Sequence, residues 1–259
     1  MAFCILCSHK TVSACRGELD VLECTNDDCG HISLDTEKFV YPYADKDYYD
    51  HIEKSDIVPD KPFISRRVKV ITDITANKGR LAELGCGLGE TAINFQRQHF
   101  EVWGVEESRN AISFLKENYP EVNWQCNNIT DFLKEYREFD VITLFHVLEH
   151  VLNPKEIVGL IKERLTPGGL VLIEVPDVHG GLARLKGNKW EFWLPHHVQY
   201  FSRISLSRLM ESFGFNLVYS QNMYHLGYPQ GRLCRDVIHG TLANIGLNSI
   251  LRTVWKNQQ

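Results

Sequence analysis

The chain has 259 residues, of which 44% are hydrophobic and 24% are charged, and its net charge is −5. This composition indicates a soluble globular protein with one large domain and a small appendage, and no apolar run reaches membrane-spanning length. The first 60 residues hold 5 Lys or Arg against 13 Asp or Glu, which argues against nucleic acid binding by that segment. The apolar run at the start is too short for a signal peptide, so a cytoplasmic location is expected.

Five of the eight cysteines lie within the first 29 residues. Four of them form a Cys-x2-Cys pair and a Cys-x4-Cys pair, a spacing typical of a tetrahedral zinc site, with free cytosolic thiols as the alternative. Zinc would supply the folding free energy that so small a segment lacks. Residues 1–38 are therefore predicted to form a zinc ribbon, with Cys15 as a bystander and His31 as a substitute ligand. The predicted ligands are Cys4, Cys7, Cys24 and Cys29.

The next part of the chain combines a linker with an alternating pattern. Residues 39–62 are rich in Tyr, Asp and Lys, and tyrosines such as Tyr43 would either cover a ligand pocket or pack between domains. Strands are predicted at 80–84, 101–105, 122–126, 139–145, 170–175 and 216–220. Helices are predicted at 64–74, 88–99, 108–118, 129–136, 154–165, 204–213 and 231–255. Consecutive βα units predict a parallel sheet with helices on both faces, here assigned to residues 63–225, followed by a helical extension at 226–259.

The stretch from Arg80 to Glu90 is an apolar run that ends in three glycines at every second position. It predicts a strand, a tight turn and the start of a helix, an arrangement that binds nucleotide-like ligands. A pyrophosphate site would show Gly-x-Gly-x-x-Gly, and Glu90 at the first helical turn would repel a pyrophosphate. The observed spacing, Glu-x-Gly-x-Gly-x-Gly, instead resembles the first motif of class I S-adenosylmethionine (SAM) methyltransferases.

Further segments in the same order strengthen this resemblance. Glu106 follows the second strand, 21 residues after Gly85, where this family binds the ribose hydroxyls. The segment 139–150, which ends in Leu-Glu-His, and the segment 165–174 resemble ubiquinone-type and related methyltransferases. Asn128 stands where the family has Asp, and it can still accept a hydrogen bond from adenine. The resemblance implies a Rossmann-like, seven-stranded, mostly parallel sheet and the following cofactor-binding residues: Glu83, Gly85, Cys86, Gly87, Gly89, Glu106, Asn128, Ile129, Phe145 and His146.

Acceptor binding is expected where the alternating pattern breaks, between 177 and 200. Residues 195–202 are similar to the His-x-x-Tyr-Phe-Ser element of sugar C-methyltransferases that carry an N-terminal zinc-binding domain. On that match His197 is the general base, while the neighbouring His196 stands where those enzymes carry Glu, which leaves carbon, oxygen and nitrogen open as the methylated atom. His150 is expected to orient its loop. Predicted substrate contacts, with core packing as the alternative for the tryptophans, are Trp190, Trp193, Tyr200 and Tyr43.

The sequence thus predicts a methyltransferase of a small molecule, such as a nucleotide sugar, a surface glycan unit or a secondary-metabolite intermediate. A zinc-containing ribosomal RNA methyltransferase is the second interpretation, and the acidic N-terminal segment argues against it. A non-catalytic SAM-binding scaffold is the third. The arginine-bearing C-terminal helix could rest on a membrane, but docking onto the sheet or onto a second subunit is favoured. The chain is expected to be a monomer or a homodimer.

Overall fold

The computed structural model describes residues 2–38, 49, 51–59, 61–76, 78–223 and 247–258. Within these ranges the strands are β1 (Thr11–Arg16), β2 (Leu19–Cys24), β3 (Ile32–Leu34), β4 (Arg80–Leu84), β5 (Glu101–Glu106), β6 (Asn123–Cys126), β7 (Phe139–Phe145), β8 (Leu165–Pro176), β9 (Gln199–Tyr200), β10 (Phe215–Met223) and β11 (Ile250–Asn257). The helices are α1 (Pro62–Ile74), α2 (Glu90–Arg97), α3 (Arg109–Asn118), α4 (Ile129–Glu135), α5 (Pro154–Arg164), α6 (Gly181–Lys186) and α7 (Arg203–Ser212).

Seven strands form one sheet in the order β10-β11-β8-β7-β4-β5-β6. Strand β4 pairs in parallel with β5 and with β7, and β5 pairs in parallel with β6. The residues of the central strands β4 and β7 are nearly all buried, as expected for a sheet with covered faces. This architecture confirms the predicted Rossmann-like, mostly parallel sheet.

A smaller antiparallel sheet has the order β1-β2-β3-β9. The register pairs Ile32 with Tyr200 and Ser33 with Gln199, so a short strand from far along the chain completes the N-terminal ribbon. Its buried face belongs to an apolar cluster that includes Val21, Val198 and Trp190. No pattern in the sequence indicated β9.

Two compact units are distinguished in the chain. The first, here the cysteine–histidine unit, comprises Met1–Ala44, His146–Lys155 and Ile173–Trp255. The second, here the glycine-loop unit, comprises Asp45–Phe145, Glu156–Leu172 and Lys256–Gln259. No helix among the described residues is both long and apolar enough to cross a membrane.

The predicted C-terminal helix is wrong over its last turns. Ile250–Asn257 is strand β11, which lies between β10 and β8. Arg252 is 2% exposed and forms a buried ion pair with Glu174, so this arginine has no role at a membrane surface. The apolar spacing at this end fits both periods, and the burial of β11 on both faces decides for a strand. The earlier part of the predicted helix, 231–246, lies outside the described residues.

Candidate functional site

The glycine loop joins β4 to α2 in the glycine-loop unit. Gly85, Gly87 and Gly89 all adopt left-handed backbone conformations, with φ of +66°, +55° and +69°. The turn is fixed by two backbone hydrogen bonds: the N–H of Cys86 donates to Val105 (2.9 Å), and the N–H of Gly89 donates to Cys86 (2.9 Å). Because side-chain-bearing residues rarely adopt such φ values, the three glycines are required by the turn itself.

Gly89 also makes room for an aromatic ring. A Cβ atom at Gly89 would lie 2.4 Å from the indole of Trp124, and one at Gly104 would lie 2.3 Å from the same indole. Trp124 is anchored by its Nε1–H, which donates to the carbonyl of Tyr119 at 2.8 Å. The third glycine of the loop therefore serves packing within the protein.

Glu106 lies at the end of β5 and holds the glycine loop. Its Oε2 accepts the backbone N–H of Gly87 at 3.1 Å, and its Oε1 accepts those of Glu107 and Ser108 at 3.0 and 3.2 Å. Each carboxylate oxygen can accept a further hydrogen bond. The half-buried carboxylate is thus oriented by the loop and retains capacity for two hydroxyl donors.

Glu83 carries the one feature of the loop that calls for a donor from outside the protein. Its side chain is 3% exposed, and Oε2 has no hydrogen-bond partner among the described residues. Burial raises the pKa of Glu83 to about 8, against the opposing effects of Arg67 and of hydrogen bonds from Ala92 and Thr91. An orphaned carboxylate oxygen beside an open glycine turn fits the ammonium and hydroxyl donors of SAM.

The other predicted cofactor residues are distributed around the same strand ends. The Cys86 thiol is buried, and burial raises its pKa well above the usual value. Asn128 is the N-cap of α4: its Oδ1 accepts the N–H of Asp131 at 2.8 Å, and Ile129 is the first helical residue. Phe145 is buried at the end of β7. Binding of cofactor by these residues stays a prediction.

Two further residues belong to the glycine loop. The hydroxyl of Tyr49 lies 2.8 Å from the position of a Cβ at Gly87, so this tyrosine covers the open glycine. Glu90 accepts hydrogen bonds from the backbone of Val58 (2.8 Å) and from Lys61 Nζ (2.7 Å), which neutralises the charge at the start of α2. Tyr49 is one of the tyrosines of residues 39–62 that were predicted to cover a ligand pocket or to pack between domains, and Tyr43 lies outside the described residues.

A histidine cluster occupies the cysteine–histidine unit. It consists of Glu149 and His150 from the 3₁₀ turn Leu148–His150, together with His146 and the pair His196 and His197. His146 Nδ1 lies 3.3 Å from Glu149 Oε1, and the His150 ring stacks on that of His196 at 5.3 Å. The Leu-Glu-His segment was part of the family resemblance, but the sequence did not single out Glu149.

His197 has a fixed ring orientation. Its Nδ1 lies 3.0 Å from the carbonyl oxygen of Phe192, which can only accept, so the proton is on Nδ1 and the lone pair is on Nε2. Burial lowers the pKa of His197 to about 4 despite the opposing charge of Glu149, so the ring is neutral at pH 7. Burial also lowers the pKa of the more exposed His196.

The predicted aromatic substrate residues belong largely to the core. Trp190 and Tyr200 are each 2% exposed and lie in the apolar cluster under the ribbon, and the Tyr200 hydroxyl donates to the Leu194 carbonyl at 3.1 Å. Trp193 is half-buried, and its Nε1–H donates to Gly187. Trp190 and Tyr200 therefore act as packing residues here, since neither ring offers a face to a ligand.

The four predicted zinc ligands converge. One sulfur atom from each lies within 4.8 Å of the others, Cys4 to Cys29 being 3.8 Å and Cys7 to Cys24 being 3.4 Å. Burial opposes ionisation of Cys7, but hydrogen bonds from His9 and neighbouring thiols bring its pKa to about 6, whereas burial raises the pKa of Cys24 to about 11. Four sulfurs this close together fit a tetrahedral zinc ion, and a bound zinc ion would hold all four as thiolates. The four residues are Cys4, Cys7, Cys24 and Cys29.

The two other N-terminal candidates lie apart from these sulfurs. Cys15 is exposed, and its thiol donates to the carbonyl of Gly17. His31 is buried, with Nε2 at 2.8 Å from Gln199 Oε1 and its ring 5.2 Å from that of Phe201. His31 is therefore a core residue beside β9 and takes no part in the cysteine cluster.

Comparison with known proteins gave matches to one enzyme class. The family model described as "Methyltransferase domain" matches residues 59–220. The ubiquinone biosynthesis O-methyltransferase of Coxiella burnetii (strain Dugway 5J108-111) is 27% identical over 190 residues, which cover 68% of this chain and 81% of that protein. A probable SAM-dependent methyltransferase of Mycolicibacterium smegmatis is 24% identical over 163 residues, or 62% of each chain.

Solved structures share the fold. The SAM-dependent methyltransferase of Archaeoglobus fulgidus aligns with a TM-score of 0.57 and 17% identity, covering 75% of this chain and 93% of that one. The 1,6-didemethyltoxoflavin-N1-methyltransferase of Burkholderia thailandensis, solved with bound 1,6-didemethyltoxoflavin and S-adenosylhomocysteine, aligns with a TM-score of 0.54 and 14% identity, covering 77% of this chain and 80% of that one.

Proposed function

Because the chain belongs to the class I SAM-dependent methyltransferases, we propose that it methylates a hydroxyl group of a small molecule, with His197 as the proton acceptor. The proposed methyl acceptors are a nucleotide-linked sugar, a unit of a surface glycan or an intermediate of secondary metabolism. When bound, SAM supplies the electrophilic methyl group. Methyl transfer then needs the protein to position the acceptor and to take up its proton.

The tautomer of His197 is the observation that carries this role. The hydrogen bond from Nδ1 to the Phe192 carbonyl leaves the Nε2 lone pair as the proton-accepting atom. His196, the other candidate, is more exposed, and its backbone carbonyl is 2.9 Å from His150 Nδ1. This arrangement supports His197 over His196 as the base, with His196 helping to fix His150.

An oxygen acceptor is supported by the sequence relative that has a named reaction. The Coxiella protein is a ubiquinone biosynthesis O-methyltransferase, and the similarity covers 81% of its length. A neutral imidazole is also better suited to a hydroxyl proton than to a carbon-bound one, which needs a stronger base.

We assign the cofactor-holding roles as follows. Glu106 accepts the ribose hydroxyls while it holds Gly87, and Glu83 offers its unpaired Oε2 to the donors of the amino acid part. We further propose that the cysteine cluster holds structural zinc. The convergence of its four sulfurs within 4.8 Å supports this assignment.

The central experiment is a screen of nucleotide sugars, glycans and phenolic or polyol intermediates with isotopically labelled SAM. Once an acceptor is found, His197→Gln should lower kcat by about 10²- to 10⁴-fold while the Kd for SAM is unchanged. His196→Gln is the matched comparison and should retain far more activity. A His197→Gln protein with the normal rate would remove His197 as base, and a wild-type protein that SAM does not stabilise against heat would overturn the function.

Zinc is tested by elemental analysis of the purified chain. One zinc per chain is expected, with loss of that ion in Cys29→Ser and its retention in the exposed Cys15→Ser. Well under one zinc per chain in the wild-type protein, prepared without chelator, would show that the four sulfurs are free thiols.

A further inference from the structure

Three side chains of the histidine cluster meet as metal ligands would. Glu149, His150 and His197 each offer one ligand atom, and these three atoms lie within 4.8 Å of one another. Glu149 and His197 are buried and His150 is half-buried. Ligand atoms lie about 2.0–2.2 Å from a bound zinc ion, so small side-chain rotations would bring all three onto one ion.

Both imidazoles are oriented by backbone carbonyls. His150 Nδ1 donates to the carbonyl of His196 at 2.9 Å, and His197 Nδ1 donates to the carbonyl of Phe192 at 3.0 Å. In both rings the Nε2 lone pair is therefore the one left to bind. Metal-binding histidines nearly always donate their other ring N–H in this way, which fixes the tautomer and the ring plane.

The carboxylate of Glu149 lacks a protein partner on one side. Its Oε1 is 3.3 Å from His146 Nδ1, whereas Oε2 is buried with no hydrogen-bond partner among the described residues. The residue is 1% exposed, so water is a poor substitute. Leaving a buried charged oxygen unpaired is costly, and a cation in the space that Glu149 shares with the two histidines would remove that cost.

We propose that Glu149, His150 and His197 form a metal site for a divalent transition ion, separate from the cysteine cluster. Two imidazole nitrogens and one carboxylate oxygen suit Zn²⁺, Mn²⁺, Fe²⁺ or Co²⁺, whereas Mg²⁺ and Ca²⁺ take oxygen ligands. Three protein ligands leave at least one coordination position open, unlike four thiolates, which close the shell of a structural zinc.

The catalytic consequence rests on the proposed function, although metal binding itself does not. A His197 that coordinates an ion through Nε2 cannot accept a proton there, so the roles of ligand and base exclude each other. With the ion bound, His197 would be a ligand, and an acceptor hydroxyl at the open position would release its proton to solvent more readily because the cation would stabilise the alkoxide. The alkoxide oxygen would then take the methyl group of SAM as the methyl–sulfur bond breaks.

Binding is tested on the full chain with its zinc retained, by titration with Co²⁺ and Mn²⁺. One additional equivalent of Co²⁺ is expected, with a visible spectrum of nitrogen and oxygen ligation and no thiolate charge-transfer band. Glu149→Gln and His150→Gln should each weaken binding by at least about tenfold. His179→Gln, which removes an exposed imidazole from the same unit, is the matched control and should bind normally.

Each outcome of the metal titration supports or overturns the proposed metal site. Absence of any additional equivalent at millimolar metal, or equal weakening in His179→Gln, would overturn the site. His150 is half-exposed, so its variant is expected to fold even where a Glu149 variant does not. If the ion binds but SAM neither binds nor reacts, the proposed function fails and the site stands. If chelation of the additional ion leaves methyl transfer unchanged, the site stands and its catalytic part is wrong.

Discussion

The glycine loop and the histidine cluster are built from different parts of the polypeptide. The loop is made of backbone: Gly85 and Gly87 turn the main chain with left-handed φ values, and Glu106 accepts the N–H of Gly87. The cluster is made of side chains from Glu149–His150 and from His197, which the fold brings together across almost fifty residues. A backbone site needs its glycines for the chain to fold, whereas a side-chain site can lose a member and leave the fold intact.

The largest effect is expected from Gly89→Ala, which strains the backbone and also drives a Cβ atom into Trp124. We expect a loss of about 2–4 kcal/mol in the free energy of unfolding, measured with urea. Two other glycines separate the effect of the left-handed backbone from the effect of the clash with Trp124. Gly104→Ala meets Trp124 without a left-handed backbone, and Gly187→Ala has φ of +52° with nothing within 4 Å.

The two control variants should therefore each lose less than Gly89→Ala, with Gly187→Ala near 1 kcal/mol. If Gly187→Ala were as destabilising as Gly89→Ala, the packing against Trp124 would contribute nothing, and the loop would depend on backbone strain alone. Replacing Trp124 by Phe should recover part of the loss in Gly104→Ala.

The next effect concerns ligand affinity. Glu106→Gln keeps the shape of the side chain but turns one acceptor into a donor that faces backbone N–H groups. SAM should bind about 10- to 100-fold more weakly, since hydrogen bonds to a charged group contribute ~1.5–3 kcal/mol. Calorimetric titration measures the Kd for SAM, and Glu107→Gln, which changes the exposed neighbouring residue, is the control. Equal affinities for wild type and Glu106→Gln would remove this residue from the cofactor site.

A smaller effect is expected in the pH dependence of stability through Glu83. Its folded-state pKa is about 8 against an ordinary 4.5, so the folded protein binds the proton more tightly. The stabilisation of the folded state by this tighter proton binding is complete below pH 4.5 and is lost as the pH rises towards 8. The free energy of unfolding of the wild type, relative to Glu83→Gln, should fall by about 2 kcal/mol between pH 6 and 8. A difference that stays constant over this range would mean that Glu83 is ionised throughout.

The smallest effect on stability is expected in the side-chain site. His150→Gln, studied without added metal, should change the free energy of unfolding by less than about 1 kcal/mol, because the half-exposed ring leaves little cavity. Urea unfolding of this variant beside Gly89→Ala tests the contrast directly. A loss above about 2 kcal/mol in the free energy of unfolding would show that the histidine cluster stabilises the fold.

Much of the fold could be predicted because its signals are local. The bounds of β4 and β7 match the predicted 80–84 and 139–145, and Ser108 and Ser202 cap their helices as their residue types indicate. The glycine spacing likewise defines a turn within a few residues. The cysteine pairs were found for the same reason, since each pair lies on one short turn.

The failures concern residues whose role is set by distant partners. Strand β11 was predicted as helix because its burial and the pairing of Arg252 with Glu174, 78 residues away, have no local signal. Tyr200 was interpreted as a substrate contact and Trp190 as either a substrate contact or a core residue, and both pack under the ribbon that β9 completes. Glu149 was missed because His197, 48 residues away, approaches it only in the folded chain.

The position of β11 bears on how this protein is made. It is the last strand in the sequence, yet it lies between β10 and β8 inside the sheet. During synthesis β10 leaves the ribosome first and has no neighbour in the sheet until residues 250–257 have emerged. The sheet therefore stays incomplete on this side until β11 is available, and until then the hydrogen-bonding edges of β10 and β8 that face β11 are unpaired and open to strands of other chains.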